Sequence, residues 1–293
     1  MKILLFGKNG QLGRELQPRL SALGSLTALD SAELDLVDLE LLRKTIRALR
    51  PHLIVNASGY TAVDRAEQEA ALAMTVNASA PGVMAELARE LDAGLLHFST
   101  DYVFDGEKGS AYVATDEPGP LSAYGRSKLE GERLVQAAGG THLILRTAWL
   151  YGRGGDNFVT KVLRWARERE TLRVAEDQIG SPTSAAALAD ITAQVIMRGH
   201  DHLRSHTGLY HLAGEGMASR FEWAEAIVRA DPNRAEHRLK RIIPALADEF
   251  PLPARRPKHS ALDCSLFAST FGLSLPPWRL GLERALRIRA EDT

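Results

Sequence analysis

Three evenly spaced glycines directly follow the first apolar segment of the chain. Residues 3–6 read Ile-Leu-Leu-Phe, which is typical of a fully buried strand, and Gly7, Gly10 and Gly13 come next in a G-x-x-G-x-x-G pattern. Glycines at a strand-to-helix turn let the backbone approach a pyrophosphate, which then binds free N–H groups at the start of the helix. Such turns also arise for purely steric reasons. The position of this one, immediately after a buried strand, favours dinucleotide binding.

Short apolar runs and helical patterns alternate through the first half of the chain. Further strands are predicted at 26–29, 53–56, 95–98 and 142–145, and helices at 12–23, 70–91 and 122–138. This alternation is typical of an α/β protein. We therefore predict a Rossmann-like doubly wound parallel sheet with a smaller α+β substrate-binding lobe at the C-terminal side. The dinucleotide-binding domain should span 1–150, and 151–293 should form mainly the lobe, with some later segments returning to the sheet.

The charge balance argues against several classes of protein. The chain has 293 residues, of which 36 are basic and 37 acidic, and the net charge is −1. No basic stripe is present, so we expect no nucleic-acid partner. No apolar run approaches a membrane span in length, and no signal-peptide features precede the first strand. The single cysteine, Cys264, excludes an intramolecular disulfide, and we expect a cytoplasmic protein.

Acidic residues follow the predicted second strand. Asp30 stands at its end, where a carboxylate can bind the hydroxyl groups of an adenosine ribose. A simple turn aspartate is an almost equally good interpretation. Asp35 and Leu36 could flank the adenine, on weaker evidence.

Tyr124 and Lys128 are four residues apart in a predicted helix and therefore lie on the same face. A phenol is normally too weak an acid to act near neutral pH, and a neighbouring ammonium favours the phenolate and lowers the pKa of the phenol. The pair could then exchange a proton with a carbonyl oxygen. Roughly one in six sequences of this composition would contain such a pair by chance, so the spacing alone proves little.

Thr100 provides a second line of evidence. It ends the predicted strand at 95–98 and its hydroxyl could hydrogen-bond a substrate ketone, because ligands collect at the carboxyl ends of parallel strands. Taken alone, the threonine is better explained by its preference for strands. The glycine turn, the strand-end threonine and the Tyr/Lys pair in this order together favour a reductase.

Longer motifs extend the pattern over nearly the whole chain. They are G-K-N-G-Q-L-G at 7–13, S-T-D-Y-V-F-D-G at 99–106, Y-G-R-S-K at 124–128, R-T-A-W at 146–149, N-F at 157–158, D-Q-I-G-S-P-T at 177–183, Y-H-L at 210–212 and A-R-R-P at 254–257. With these motifs the chain resembles the dTDP-4-dehydrorhamnose reductase family of the extended short-chain dehydrogenase/reductase superfamily.

The resemblance implies that NADH or NADPH reduces the 4-keto group of dTDP-4-dehydro-6-deoxy-L-mannose to give dTDP-L-rhamnose. By position, Tyr124 would protonate O4, Lys128 would lower its pKa and hold the nicotinamide ribose, and Thr100 would orient the ketone. Asp101 and Trp149 would contact the sugar nucleotide. Together with the glycine turn, the residues expected to line the cofactor are Gly7, Gly10, Gln11, Leu12, Gly13, Asp30, Asp35, Leu36, Gly59, Tyr60, Thr61, Tyr124 and Lys128.

A pair of arginines, Arg255 and Arg256, stands in a proline-rich segment. A guanidinium fork suits phosphate oxygens, so we expect Arg256 to contact the diphosphate of the substrate. A solvated basic loop is the equally weighted alternative.

Histidines at 200, 202, 206 and 211 invite a metal hypothesis. Their spacing fits no common zinc pattern, and 199–202 reads as a polar loop, so we predict no metal there.

Two other functions stay open. One is a non-catalytic regulatory subunit that keeps this fold to bind a dinucleotide and a partner enzyme, against which the intact Thr100, Tyr124 and Lys128 argue. The other is a related epimerase or dehydratase. Dehydratases of this superfamily usually carry an acidic pair after the strand-end threonine, whereas this chain has Asp101 and Tyr102.

The resemblance also bears on assembly. In some relatives, acidic residues on two helices share a magnesium ion at a dimer interface. Glu15 and Asp190 stand at matching positions, but Ala186 replaces the remaining acid. Magnesium is usually held by only one or two carboxylates, so losing one ligand weakens such a site without forbidding it. Ordinary solvated roles for Glu15 and Asp190 are therefore slightly favoured over a magnesium site, and we expect a monomer or homodimer whose mass does not depend on the metal.

Overall fold

Parallel strands form the centre of the molecule. The computed structural model describes residues 1–152 and 154–291, with the side chains of 1–152 and 154–287. The strands are β1 (Lys2–Phe6), β2 (Ser25–Leu29), β3 (Leu53–Asn56), β4 (Gly94–Thr100), β5 (His142–Thr147), β6 (Leu150–Tyr151), β7 (Thr171–Ala175), β8 (Ile179–Gly180), β9 (Thr183–Ser184), β10 (Gly208–His211), β11 (Ala218–Ser219) and β12 (Arg241–Ala245).

Helices connect and cover these strands. They are α1 (Gln11–Ser21), α2 (Leu39–Leu49), α3 (Ala70–Met74), α4 (Ala80–Glu90), α5 (Ala123–Ala138), α6 (Phe158–Glu168), α7 (Ala185–Met197), α8 (His200–Ser205), α9 (Arg220–Ala230), α10 (Ser265–Phe271) and α11 (Trp278–Glu291). A π-helical turn, Thr75–Ser79, joins α3 to α4.

The main sheet has six parallel strands in the order β2-β1-β3-β4-β5-β10. The chain moves outward from β1 to β2 and then crosses to β3 on the other side of β1. A crevice therefore opens at the carboxyl ends of the strands, which is where ligands bind in open parallel sheets. This architecture confirms the predicted fold class.

Apolar side chains cover both faces of the sheet, as a doubly wound fold requires. On one face, Leu16 of α1 and Leu188 of α7 pack against the strands, and both are fully buried. On the other face, Ile46 of α2 and Met84 of α4 do the same. The sixth strand and α7 come from beyond residue 150, whereas a division of the chain at that residue stays a prediction.

A separate apolar cluster lies in the C-terminal half. It is built on α6, α9 and α11 together with the β7–β12 ribbon, and the buried Trp223 stands at its centre. We call these elements, α6, α9, α11, β7 and β12, the second lobe. The cluster packs against Trp149, which lines the crevice, so the second lobe forms one side of it.

Three local predictions differ from the structure. Helix α2 was not predicted, although Asp38 caps it by accepting a hydrogen bond from the Leu41 backbone N–H at 2.9 Å. The predicted polar loop at 199–202 is instead the start of α8, because Leu203 is buried against the core. The predicted helix at 70–91 is interrupted by the π-helical turn, and such turns frequently occur at functional sites.

Candidate active site

The crevice at the carboxyl ends of the strands is a cleft of about 810 Å³. Nearly all of the predicted cofactor and substrate residues line it. These are Gly7, Gly10, Gln11, Leu12, Asp30, Asp35, Leu36, Gly59, Tyr60, Thr61, Thr100, Asp101, Tyr124, Lys128 and Trp149. The two exceptions are Gly13 and Arg256.

The glycine turn is held so tightly that side chains are excluded. Gly7 has a φ of +84°, and a Cβ on it would lie 2.7 Å from the Ser58 backbone nitrogen. A Cβ on Gly13 would lie 2.0 Å from the carbonyl oxygen of Gly7, so only glycine lets α1 pack this closely against the turn. Gly13 itself does not line the cleft. Gly10 caps α1 without a side-chain hydrogen bond, which leaves N–H groups of the helix terminus available to an anionic ligand.

The side chain of Gln11, the residue after Gly10, contacts the segment that begins the second lobe. The Gln11 carboxamide oxygen accepts hydrogen bonds from the Gly152 backbone N–H and from the Asn157 side chain, both at 2.9 Å. Gln11 therefore links the glycine turn to the second lobe.

Charged residues surround the end of β2. Asp30 accepts hydrogen bonds from the side chain of Asn9 and from the Ala32 backbone N–H, while the carboxylate of Glu33 pairs with Lys8. A carboxylate and an ammonium thus lie at the place where the adenosine ribose is expected. Further along, Asp35 accepts a hydrogen bond from the Val37 backbone N–H and Leu36 is buried.

The segment after β3 is clamped by a buried amide on the π-helical turn. Asn77 accepts a hydrogen bond from the Tyr60 backbone N–H at 2.8 Å and donates to the Tyr60 carbonyl oxygen at 3.0 Å. Its amide also donates to the hydroxyl of Ser127, next to Lys128. A single residue therefore fixes the distance between the 59–61 loop and α5.

The predicted reactive groups converge on one wall of the cleft. Tyr124 lies in the first turn of α5 and its phenol is hydrogen-bonded to the hydroxyl of Thr100. The ammonium of Lys128, one helical turn later, donates to the Phe98 carbonyl oxygen at 2.6 Å. The first turn of α5 packs tightly against the backbone of Tyr102. A Cβ on Gly125 would lie 2.2 Å from the Tyr102 carbonyl oxygen, so only glycine fits there.

Burial controls the protonation of these groups. It raises the pKa of Tyr124, although the hydrogen bond with Thr100 opposes the shift. It lowers the pKa of Lys128 to about 8, while the carboxylate of Glu132 acts in the opposite direction. The phenol is therefore protonated at neutral pH, and Lys128 stays largely charged. Besides burial, the groups that shift the pKa of this phenol are Thr100, Asp101 and Tyr102, and a contribution of Lys128 stays a prediction.

A buried ion pair that was not predicted from the sequence joins α5, which carries Tyr124 and Lys128, to the central sheet. Arg146 of β5 donates to Glu132 of α5 at 2.9 and 2.7 Å, and the hydroxyl of Ser99 donates to the same carboxylate at 2.5 Å. All three side chains are buried. Arg146 begins the R-T-A-W motif, but only the fold reveals its partner.

Asp101 is a buried carboxyl group next to Thr100. It accepts hydrogen bonds from Ser260 at 2.6 Å and from Thr100 at 3.1 Å. Burial raises its pKa to about 6, and these hydrogen bonds limit the shift. Ser260 comes from the C-terminal part of the chain, which therefore contacts the reactive wall directly.

Trp149 and Arg220 form the side of the cleft that belongs to the second lobe. Trp149 has a φ of +44°, and the guanidinium carbon of Arg220 lies 3.6 Å from the centre of its ring. Arg220 was not predicted as a site residue, because the capping box around Ser219 indicates the start of α9 but not the direction of its first side chain. Thr147 was not predicted either, and its buried hydroxyl has no hydrogen-bond partner within the described part of the chain.

The structure does not bring Arg256 to the wall of the cleft. Its guanidinium donates to both carboxylate oxygens of Asp64, at 3.0 and 2.8 Å, and lines a neighbouring depression. The hydrogen bonds that were expected to reach a diphosphate are used inside the protein.

The two helices that carry Glu15 and Asp190, α1 and α7, pack against each other. Between them, Arg19 donates to Asp190 at 2.6 Å and to the Glu15 carboxylate at 3.1 Å. A guanidinium thus bridges the two acids that match the metal ligands of relatives. Among the described side chains of residues 1–152 and 154–287, no group of three or more His, Cys, Asp or Glu is arranged to hold a metal.

The sheet, the glycine turn and the Tyr/Lys pair define a Rossmann-fold protein of the short-chain dehydrogenase/reductase class. The family model described as RmlD substrate binding domain matches residues 1–290. The dTDP-4-dehydrorhamnose reductase of Burkholderia thailandensis is 41% identical over 293 residues, covering 98% of both chains. The chain therefore belongs to the dTDP-4-dehydrorhamnose reductase family.

Solved structures of similar proteins lead to the same family assignment. The dTDP-4-dehydrorhamnose reductase of Clostridium acetobutylicum matches with a TM-score of 0.90 and 35% identity, covering 98% of this chain and 99% of its own. That of Bacillus anthracis, solved in complex with NADP, matches with a TM-score of 0.89 and 34% identity, with the same coverage. In this chain, no helix within the described ranges has both the length and the apolar character needed to cross a bilayer.

The bridging guanidinium of Arg19 leads to a prediction about assembly. Because a cation of the protein already lies between Glu15 and Asp190, we expect the mass measured by light scattering or sedimentation to be the same with magnesium and with EDTA. A dimer that dissociates on chelation and re-forms on adding magnesium would contradict this expectation.

Proposed function

We propose that this protein catalyses the NAD(P)H-dependent reduction of the 4-keto group of dTDP-4-dehydro-6-deoxy-L-mannose to dTDP-L-rhamnose. The observation that carries the proposal is the convergence of Thr100, Tyr124 and Lys128 on one wall of a cleft that also contains the glycine turn. The activity named for relatives that align over almost the whole chain supports it.

The residues of the cleft fit a dinucleotide. The absence of side chains at Gly7 and Gly10 leaves room at the N-terminus of α1 for a pyrophosphate, and the carboxylate of Asp30 suits ribose hydroxyls. Asp35, Leu36 and the 59–61 loop would enclose the adenine and the neighbouring part of the cofactor. When bound, NAD(P)H supplies the hydride that the ketone carbon receives.

Tyr124 supplies the proton. As the ketone oxygen gains negative charge, the phenol donates to O4 and becomes a phenolate. The raised pKa of Tyr124 keeps the proton in place until charge develops on that oxygen. Thr100 can donate a hydrogen bond to the same oxygen, and the positive charge of Lys128 stabilises the phenolate.

Asp101 and Trp149 would bind the sugar nucleotide. With a pKa of about 6, Asp101 is mostly ionised at neutral pH and can accept a hydrogen bond from a sugar hydroxyl. Trp149 offers an apolar ring face at the side of the cleft that belongs to the second lobe.

Substitution of Tyr124 tests the proposal. Wild-type protein should oxidise NAD(P)H with the dTDP-4-ketosugar, and Tyr124→Phe should lower kcat by roughly 10²–10⁴-fold, because the ring stays and the proton is lost. The affinity for NAD(P)H, measured by fluorescence titration, should barely change.

A matched control comes from Tyr210 on β10, which does not line the cleft. Its phenol donates to the His206 carbonyl oxygen. Tyr210→Phe should keep its turnover. Near-normal turnover of Tyr124→Phe would contradict the assignment of Tyr124 as the acid. Wild-type protein that binds NAD(P)H but oxidises it with none of a panel of nucleotide 4-ketosugars would favour a regulatory subunit, and conversion of a sugar without net oxidation would favour an epimerase.

The carboxylates at the end of β2 lead to a prediction about cofactor choice. Asp30 and Glu33 repel a 2′-phosphate, and the ion pair with Glu33 offsets the charge of Lys8. We expect both cofactors to be accepted, with a modestly higher kcat/KM for NADH. Asp30→Asn should raise kcat/KM for NADPH relative to NADH. A strong NADPH preference in the wild-type protein would show that Asp30 does not meet the ribose.

A further inference from the structure

Arg220 is a cation that aromatic rings hold in the wall of the cleft. It is the first residue of α9, and its backbone N–H donates to the Gln178 carbonyl oxygen at 3.0 Å. Its guanidinium carbon lies 3.6 Å from the ring centre of Trp149, 4.9 Å from that of Phe158 and 5.3 Å from that of Trp223.

The rings that surround Arg220 are themselves fixed. Trp223 stacks on Trp149 with 5.4 Å between ring centres and on Phe158 with 4.8 Å. Trp149 also adopts a left-handed backbone conformation, which a residue of this size adopts only where its surroundings impose it. The guanidinium therefore keeps one position, facing the cleft.

Arg220 differs from the neighbouring Arg146 and Arg256 in having no carboxylate paired with its charge. Arg146 is neutralised by Glu132, and Arg256 by Asp64. Among the described side chains, those of residues 1–152 and 154–287, Arg220 has no ion-pair partner, and its hydrogen-bonding partner is the phenol of Tyr102. Burial among the rings lowers its pKa, while the neighbouring Tyr102 and the Asp101 carboxyl group act in the opposite direction.

The chemistry of this position suits a phosphate group. A guanidinium offers a planar fork of N–H donors that matches phosphate oxygens, and its charge acts strongly where water is excluded. Tyr102 lies between Arg220 and Arg256 and hydrogen-bonds both. A second positive charge therefore reinforces the potential around the Tyr102 phenol.

We propose that Arg220, rather than Arg256, binds the diphosphate of the nucleotide sugar. The inference rests on the proposed function for the identity of the ligand. It assigns to the second lobe an anion site separate from the N-terminus of α1, where the pyrophosphate of the dinucleotide belongs. Arg256 is paired with Asp64 and does not bind the ligand directly. Its charge adds to the positive electrostatic potential around the Tyr102 phenol.

Equilibrium binding tests the assignment. Calorimetric titrations of dTDP, UDP and thymidine into the protein saturated with NADP⁺ separate binding of the diphosphate from binding of the nucleoside and from the dinucleotide site. Arg220→Gln should weaken dTDP binding by roughly tenfold or more, because a charge-assisted hydrogen bond is lost. The affinities for thymidine and NADP⁺ should not change, and retained NADP⁺ binding shows that the variant is folded.

Further variants sharpen the comparison. Arg229→Gln removes an exposed arginine from the same helix and should bind dTDP as the wild type does. Arg220→Lys keeps a cation on the rings, should fold even if Arg220→Gln does not, and should lose an intermediate part of the affinity because the fork is missing. Arg256→Gln should weaken dTDP binding less than Arg220→Gln.

Each outcome decides one point. Unchanged dTDP affinity in folded Arg220→Gln, or a larger loss in Arg256→Gln, would overturn the assignment. Wild-type protein that binds UDP but not dTDP, with the dependence on Arg220 intact, would support the anion site and contradict the proposed substrate. Wild-type protein that binds neither diphosphate would overturn the anion site.

Discussion

The buried ion pair between Glu132 and Arg146 fixes helix α5 against the central sheet. Both side chains are almost completely inaccessible, and two hydrogen bonds join them. Removing one partner of such a pair typically costs about 3–5 kcal/mol, because an uncompensated charge stays buried. Ser99, the residue before Thr100, donates to the same carboxylate. The pair therefore couples the position of Thr100 to that of α5, which carries the proposed acid and the lysine.

This arrangement determines the electrostatics of the cleft. Glu132 keeps a negative charge near Lys128, which opposes the loss of its proton on burial. Tyr124 keeps its proton because burial disfavours the phenolate. A protonated phenol beside an ammonium is the state that a reductase needs before it receives its substrate. On the opposite side, the aromatic rings around Arg220 supply a second fixed positive charge.

The sequence was informative where function depends on local geometry. The glycine turn, the strand-end Thr100 and the spacing of Tyr124 and Lys128 can be read from short segments, and the structure places all of them at the cleft except Gly13, which packs behind the turn. Contacts between distant segments could not be predicted. Arg256 meets Asp64 from 192 positions away, which removes it from the wall where a diphosphate was expected. The position of Arg220 depends on how the second lobe packs.

The central claim is that hydride reaches the sugar carbon that carries the keto group. It is tested most directly with NAD(P)H deuterated at C4 of the nicotinamide, using NMR and mass spectrometry of the product formed from dTDP-4-dehydro-6-deoxy-L-mannose. The account predicts a dTDP-deoxysugar that carries a single deuterium, at C4 of the sugar. With both hydrogens at C4 of the nicotinamide replaced by deuterium, a converted sugar that carries no deuterium, or carries it at another carbon, would contradict it.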